Sequence, residues 1–187
     1  MNAVTSPTAD PTLGATPVRG SVIETQRLRL RLLTLDDARF ILELLNEPSF
    51  LRFIGDKGVR DPDGARAYLA KGPIDSYERH GFGLYAVCLR DGTPIGICGL
   101  VKRDGLDDAD LGFAFLSRHW SHGYAAESAG AVMAHAGEML GLKRVVAITS
   151  PDNRDSMAVL EKVGLKYERT VRLAADAAEL NLFASNL

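Results

Sequence analysis

The chain has 187 residues, with 22 basic and 24 acidic side chains and a formal charge of −2. That length suits one domain of ordinary composition, and a slightly acidic chain lacks the basic footprint of a general nucleic-acid binder. No apolar run approaches the roughly 18 residues that a membrane-spanning helix needs, and two cysteines, Cys88 and Cys98, do not make a disulfide framework.

Residues 1–20 read MNAVTSPTADPTLGATPVRG, rich in Pro, Gly, Ser, Thr and Ala. This composition predicts a disordered tail ahead of a single domain over 21–187. The tail has neither the basic start nor the apolar stretch of a signal peptide, so a cytoplasmic protein is expected.

Residues 27–33 (RLRLRLL) alternate basic and apolar, the pattern of a half-buried strand with Leu28, Leu30 and Leu32 on one face. Arg27, Arg29 and Arg31 then read as a solvated strand face in preference to a phosphate site. Thr34, Asp36 and Asp37 supply N-cap chemistry for a helix whose apolar positions are Ala38, Ile41, Leu42 and Leu45 and which Pro48 ends. A second helical region begins at Asp61-Pro62, is interrupted at Gly72-Pro73 and resumes towards His80.

Strands are expected over 82–90 and 94–101, joined by Asp91-Gly92-Thr93, a turn with hairpin chemistry, and a third over 109–116. Residues 123–140 place Ala125, Ala129, Val132, Met133, Ala136 and Leu140 on one helical stripe, with Gly141 where a C-terminal cap belongs. The β-branched run 144–149 reads as a buried central strand. Pro151-Asp152 opens a further helix to about Val163, closed by Gly164, and two last strands fit 165–172 and 178–184. Strands alternating with helices only in the second half point to an α+β fold with helices packed on a mixed sheet. Cys88 and Cys98, on paired strands that could bring them near one another, are expected as reduced, buried thiols.

The most informative stretch is FAFLSRHWSHGYAAE, residues 113–127, where a strand runs through a short loop into a helix. The first N–H groups of a helix lack intrahelical partners and lie at the positive end of its dipole, so this junction is a ready phosphate site. Gly123 permits close approach, and Ala125 and Ala126 add little bulk.

The run WSHGYAAES resembles the acetyl-CoA loop of the GNAT N-acetyltransferases in their RimJ/RimL-like branch. PDNRDSMAVLEKVGL (151–165) is similar to that family's Asn-x-x-Ser segment, and ETQRLRLR (24–31) to its opening strand, in family order and spacing. The resemblance spans about residues 22–185. It implies the GNAT fold: a central, mostly antiparallel mixed sheet of six to seven strands, flanked by about four helices, in which strands 109–116 and 144–149 splay apart. It also implies acetyl-CoA as co-substrate. Main-chain groups of Phe115 and Leu116 would pair with the pantetheine arm, N–H groups of Ser121, His122, Gly123, Tyr124, Ala125 and Ala126 would hold the pyrophosphate, and the Asn153 amide would bond the pantetheine. Ser156 would sit near the thioester sulfur.

The sequence departs from the family pattern in three places. Ser121 replaces the first loop Gly, which matters if that position requires positive φ; His122 replaces a common cation or Gln; and Leu160 stands where many relatives carry a Tyr acid.

Acetyl transfer to an amine requires a proton acceptor, an oxyanion donor and a donor to the departing thiolate, for which Ser156 is expected. Asp110, at the start of the strand that presents the thioester, is the candidate base. Asp107 and Asp108 read as a solvated turn, Glu127 and His135 as structural, Asp176 and Glu179 as solvent-facing, and His119 is unassigned. The four His and two Cys show no metal-ligand spacing, so no metal is expected. The acceptor is expected to be a primary amine, of a protein N-terminus or a small molecule. The basic segment 52–60, with Arg52, Lys57 and Arg60, suits an acidic acceptor or is simply a solvated loop. No membrane partner is expected, and the state is monomer or homodimer. The alternative function is a non-catalytic acyl-CoA-binding module.

Overall fold

The computed structural model describes residues 21–175 and 177–187. The tail over 1–20 and Asp176 lie outside the described residues.

Eight strands form one sheet: β1 (Ser21–Glu24), β2 (Leu28–Leu32), β3 (Leu84–Leu89), β4 (Pro94–Val101), β5 (Ala109–Phe115), β6 (Arg144–Thr149), β7 (Lys166–Val171) and β8 (Leu180–Asn186). Their order is β1-β2-β3-β4-β5-β6-β8-β7. This exceeds the expected six to seven by the short β1. Thr25 makes the turn that folds β1 back, its N–H donating to the Leu28 carbonyl and its hydroxyl accepting from the Leu28 N–H, both at 3.0 Å. That turn has none of the Gly or Asn chemistry that marks a hairpin in sequence.

The helices are α1 (Ala38–Leu45), α2 (Pro48–Phe53), α3 (Pro62–Leu69), α4 (Asp75–His80), α5 (Tyr124–Glu138) and α6 (Arg154–Lys162). Pro48 ends α1 and also opens α2 as its first residue, where a missing N–H costs nothing. Gly72-Pro73 does not break the second helical region: α3 and α4 run on through one π-helical turn, Ala70–Ile74, which takes up Pro73.

Helices pack on both sheet faces. Leu28, Leu30, Cys98 and Leu111 pack with Ala129, Val132 and Met133 of α5 and Leu160 of α6. On the other face Ala86, Cys88 and Ile97 pack with Ile41 and Leu44 of α1, Phe50 of α2 and Leu69 of α3. Each such large apolar side chain contributes about 1.5–3 kcal/mol by leaving water. Cys88 and Cys98 are free and buried as expected, but they face opposite sides of the sheet and so are not neighbours. Burial pushes the Cys98 thiol up to about 12.

Every neighbouring pair in the sheet is antiparallel except β5 with β6. That pair is joined in parallel only at Ala109↔Val145 and Asp110↔Val146, whereas β4 follows β5 as far as Gly96↔Phe115 and β8 follows β6 as far as Thr149↔Asn181. Beyond residue 110 the two central strands part. No helix of the described residues is long and apolar enough to cross a membrane.

Candidate active site

The parted strands open into a cavity of about 650 Å³ walled by β5, β6, α2, α3, the first turn of α5 and the length of α6. Its dimensions suit a small ligand or part of a larger one.

In an antiparallel ladder, residues alternate between bonding their partner and presenting their main chain to the opposite edge. The Leu116 N–H donates to the Ile95 carbonyl at 3.0 Å, so residues of even number on β5 bond to β4. Leu111, Phe113 and Phe115 therefore turn their main-chain groups towards the split. This corrects the expectation for Leu116, whose N–H is engaged with β4. The Phe115 carbonyl accepts from the Trp120 indole at 2.9 Å, which leaves the Phe113 main chain and the Phe115 N–H facing the split on that edge.

After β5 the chain makes a 3-10 turn, Ser117–His119, and reaches α5 through Trp120 to Gly123. Ser121 has φ +61°, the one non-glycine positive φ among the described residues, so this position does need the left-handed conformation that the family's usual Gly supplies freely. Gly123 is the N-cap of α5 at φ +79°, with no side-chain cap. The first N–H groups of α5, at Tyr124, Ala125 and Ala126, thus have neither a capping oxygen nor an intrahelical partner. This is the property that an anion cradle requires.

Arg27, read in the sequence as solvated, braces this cradle. Its Nη1 donates to the His122 carbonyl at 2.9 Å, its Nε donates to Glu127 Oε2 at 2.7 Å, and its guanidinium lies 4.8 Å from the Tyr124 ring centroid. Glu127 also accepts from the Thr25 hydroxyl at 2.6 Å and the Arg27 N–H at 3.0 Å. Burial works to raise the Glu127 pKa, and these bonds outweigh it and hold the carboxyl below its ordinary range. Glu127 has the structural role expected of it. His122 Nδ1 lies 2.6 Å from the Trp120 carbonyl and its ring stacks on Tyr124. Arg27, His122, Gly123 and Lys162 share a shallow recess outside the loop.

Asn153 caps α6, its Oδ1 accepting from the Ser156 N–H at 3.1 Å. The amide NH₂ of Asn153 and the hydroxyl of Ser156 make no hydrogen bond among the described residues, and both residues line the cavity. Ser156 is thus not the back-bonded helix serine that is its ordinary alternative. Leu160 is buried and forms part of the cavity wall.

Asp110 is 1% exposed. One oxygen accepts from Arg103 Nε at 2.8 Å and the other from the Ile148 N–H at 3.1 Å. Burial raises its pKa against the pull of Arg103 and Ile148. Its oxygens are engaged in bracing the split, which counts against the expected role of free base. His119 also lines the cavity, and burial together with the Arg118 charge lowers its pKa, favouring the neutral imidazole. Asp108 pairs with Arg144 at 3.0 Å and Glu179 with Arg172 at 2.9 Å, away from the cavity lining. His135 packs edge-on to Tyr85. Among the described residues no cluster of His, Cys, Asp and Glu could hold a metal.

Residues 27–166 match the family described as the acetyltransferase (GNAT) domain. The chain is 28% identical over 147 residues to the N-acetyltransferase YnaD of Bacillus subtilis, covering 78% of this chain and 83% of that protein. Among solved structures, an acetyltransferase from Agrobacterium tumefaciens is 26% identical with a TM-score of 0.73, over 92% of this chain and 99% of that one. RimL, an alpha-N-protein acetyltransferase solved in complex with coenzyme A, shares the fold at a TM-score of 0.75 and 18% identity, over 87% of this chain and 96% of its own.

Proposed function

The chain belongs to the GNAT acetyltransferase family, and from that premise we propose that it transfers an acetyl group from acetyl-CoA directly to a primary amine within one ternary complex. The observation that carries this reading is the split between β5 and β6, with an uncapped helix start at one end and the unbonded Ser156 hydroxyl on its wall.

The residues present fit the co-substrate. The Tyr124, Ala125 and Ala126 N–H groups, flanked by Arg27 and Lys162, suit a pyrophosphate, and the open edge of β5 with the Asn153 amide suits an amide-bearing arm. Acetyl-CoA supplies a thioester; a C–N bond forms, a C–S bond breaks, the amine gives up one proton and the thiol gains one. An N–H on the open edge of β5 supports the oxyanion, a contribution that typically reaches 10²–10³ in rate. The Ser156 hydroxyl donates to the departing sulfur, taking over from the absent Tyr. His119, kept neutral, accepts the amine proton. Asp110 acts through Arg103 and Ile148 by holding the split open at its base.

Leu160 in place of Tyr favours a second reading, a binding module without turnover. Ser156→Ala separates the two. The enzyme reading expects turnover to fall about tenfold or more, while acetyl-CoA affinity by calorimetry changes less than about twofold. Unchanged turnover removes the role of Ser156. Cofactor binding without thiol release for any amine supports the module.

A further inference from the structure

The segment 52–60 carries three cations, of which Lys57 alone lines the cavity. Arg52 of α2 pairs with Asp152 at 3.0 Å, and Arg60 pairs with Asp56 at 2.5 Å. Lys57, between them in sequence, makes no ion pair or hydrogen bond among the described residues. Two further donors line the same cavity. The Tyr68 hydroxyl has no hydrogen-bond partner among the described residues, and Arg103 reaches Asp110 through Nε and Nη2, both at 2.8 Å, leaving Nη1 without one.

The loop that presents Lys57 is built. Asn46 Nδ2 donates to the Val59 carbonyl at 3.0 Å and Asn46 Oδ1 accepts from Arg60 at 3.2 Å. Asp56 Oδ1 accepts from the Gly58 N–H at 2.8 Å, and Val59 is buried against α1 and α3. These bonds fix the backbone on both sides of Lys57. The side chain itself stays exposed, with partial desolvation and the nearby Arg103 charge lowering its pKa. Arg103 also acts electrostatically on Tyr68, so the three polar groups share one field. Two carboxylates line the cavity: Asp110, which Arg103 already neutralises, and Asp155 at the start of α6. Lys57, Tyr68 and Arg103 are all donors, and Lys57 is the cation of the set that has no carboxylate partner among the described residues.

Resting on the acetyl-transfer reading, we propose that Lys57, Tyr68 and Arg103 hold a carboxylate on the acceptor, so that the substrate class is a small amine bearing a free carboxylate. A charge-assisted bond from an ammonium, seconded by a phenol and a guanidinium, matches a carboxylate and gives a neutral amide nothing comparable. The cavity of about 650 Å³ must also admit the thioester arm, and a compact acceptor fits beside it.

The test uses the whole protein with acetyl-CoA and matched pairs: the common L-amino acids and 4-aminobutyrate, each beside its neutral amide, with thiol release as readout. The quantity read is the acid-to-amide ratio of kcat/KM, compared between wild type and variant so that differences in amine basicity cancel. The expected ratio falls about tenfold in Lys57→Ala, one ordinary charge-assisted contact, is largely retained in Lys57→Arg, and falls less in Tyr68→Phe. Thermal melting establishes that each variant folds. A ratio in Lys57→Ala within about twofold of wild type, or acetylation confined to peptides with an acidic second residue, overturns the proposal while acetyl transfer stands. No thiol release with any amine, despite measured acetyl-CoA binding, overturns the acetyl-transfer reading itself, and this proposal with it.

Discussion

The Asp110 carboxylate accepts a hydrogen bond from the Ile148 N–H at 3.1 Å, two residues beyond the last residue of β6 that pairs with β5. A side chain thus replaces the ladder at the point where main chain no longer meets main chain. The Arg103 guanidinium holds the other oxygen. The arrangement satisfies an N–H that the parting strands would otherwise leave buried and unpaired, at a cost of about 1–3 kcal/mol.

Asp110→Asn therefore acts first on stability. It removes the charge that faces Arg103 while keeping an oxygen for Ile148, and the expected loss is about 2–4 kcal/mol by chemical denaturation, near the cost of breaking a buried pair. Turnover should fall only as far as the split is disturbed. An unchanged denaturation midpoint with a loss of turnover of about a thousandfold would instead make Asp110 the base.

Ser121→Gly should stabilise the protein. A left-handed backbone costs a side chain-bearing residue about 1–2 kcal/mol, and Ser121 has φ +61°. Glycine removes that cost but gives back part of it through a more flexible unfolded chain. The net expectation is a gain of about 0.5–1 kcal/mol in a thermal melt, with acetyl-CoA affinity kept within about twofold. A destabilised variant would mean that the serine side chain contributes something the backbone geometry does not reveal.

The cradle was legible in the sequence because it is local: a helix start and its loop are read from adjacent letters. Asn153 and Ser156 came from the family resemblance, and the structure adds that Asn153 caps the helix through the Ser156 N–H. Lys57, Tyr68 and Arg103 were not legible, although Lys57 stood out as part of a basic segment. What separates it from Arg52 and Arg60 is the partners those two find, Asp152 in a distant loop and Asp56 held by a turn. Arg27 was misread for the same reason, since its partners Glu127 and His122 lie about a hundred residues away. The eighth strand was missed because a threonine makes its turn.

Gly123→Asp tests the cradle. A side chain at this position points towards Arg27, whose Nη2 would lie 3.5 Å from the new Cβ. The carboxylate would pair with Arg27 and sit beside the uncapped N–H groups of α5, where the helix dipole favours it. It would then exclude a phosphate from the same place. Acetyl-CoA affinity by calorimetry should fall at least about tenfold, or 1.4 kcal/mol, while the left-handed backbone at this position (φ +79°) costs the variant about 1–2 kcal/mol of stability. Undiminished affinity would place the pyrophosphate elsewhere.

The pairing of Asp37 with Arg31 is pH-dependent. Asp37, between β2 and α1, is 7% exposed. The Arg31 guanidinium bonds both its oxygens, at 2.8 and 2.7 Å, and the Thr34 N–H donates to it at 2.8 Å. Burial alone would raise its pKa, but the Arg31 and Thr34 bonds together hold the carboxyl below its ordinary value. A pKa depressed by folding means that the unfolded chain binds the proton more readily. The contribution to stability is therefore complete above the unfolded value, about 3.9, and is lost as pH falls through the lower folded value. Asp37→Asn should cost about 3 kcal/mol near neutral pH, because it leaves Arg31 partly buried without its partner, or roughly 6–12 °C in melting temperature for a chain of this size. The gap between wild type and variant should then narrow as the pH is lowered below about 4, since protonation removes from the wild type what the substitution has already removed. Because Asp37 fixes the start of α1, whose Leu44 lines the cavity, turnover in the wild type should decline over the same acid range, and melting curves recorded from pH 7 to pH 2 would show whether the gap closes. A gap that stayed constant across that range would show that Asp37 acts through packing and not through its charge.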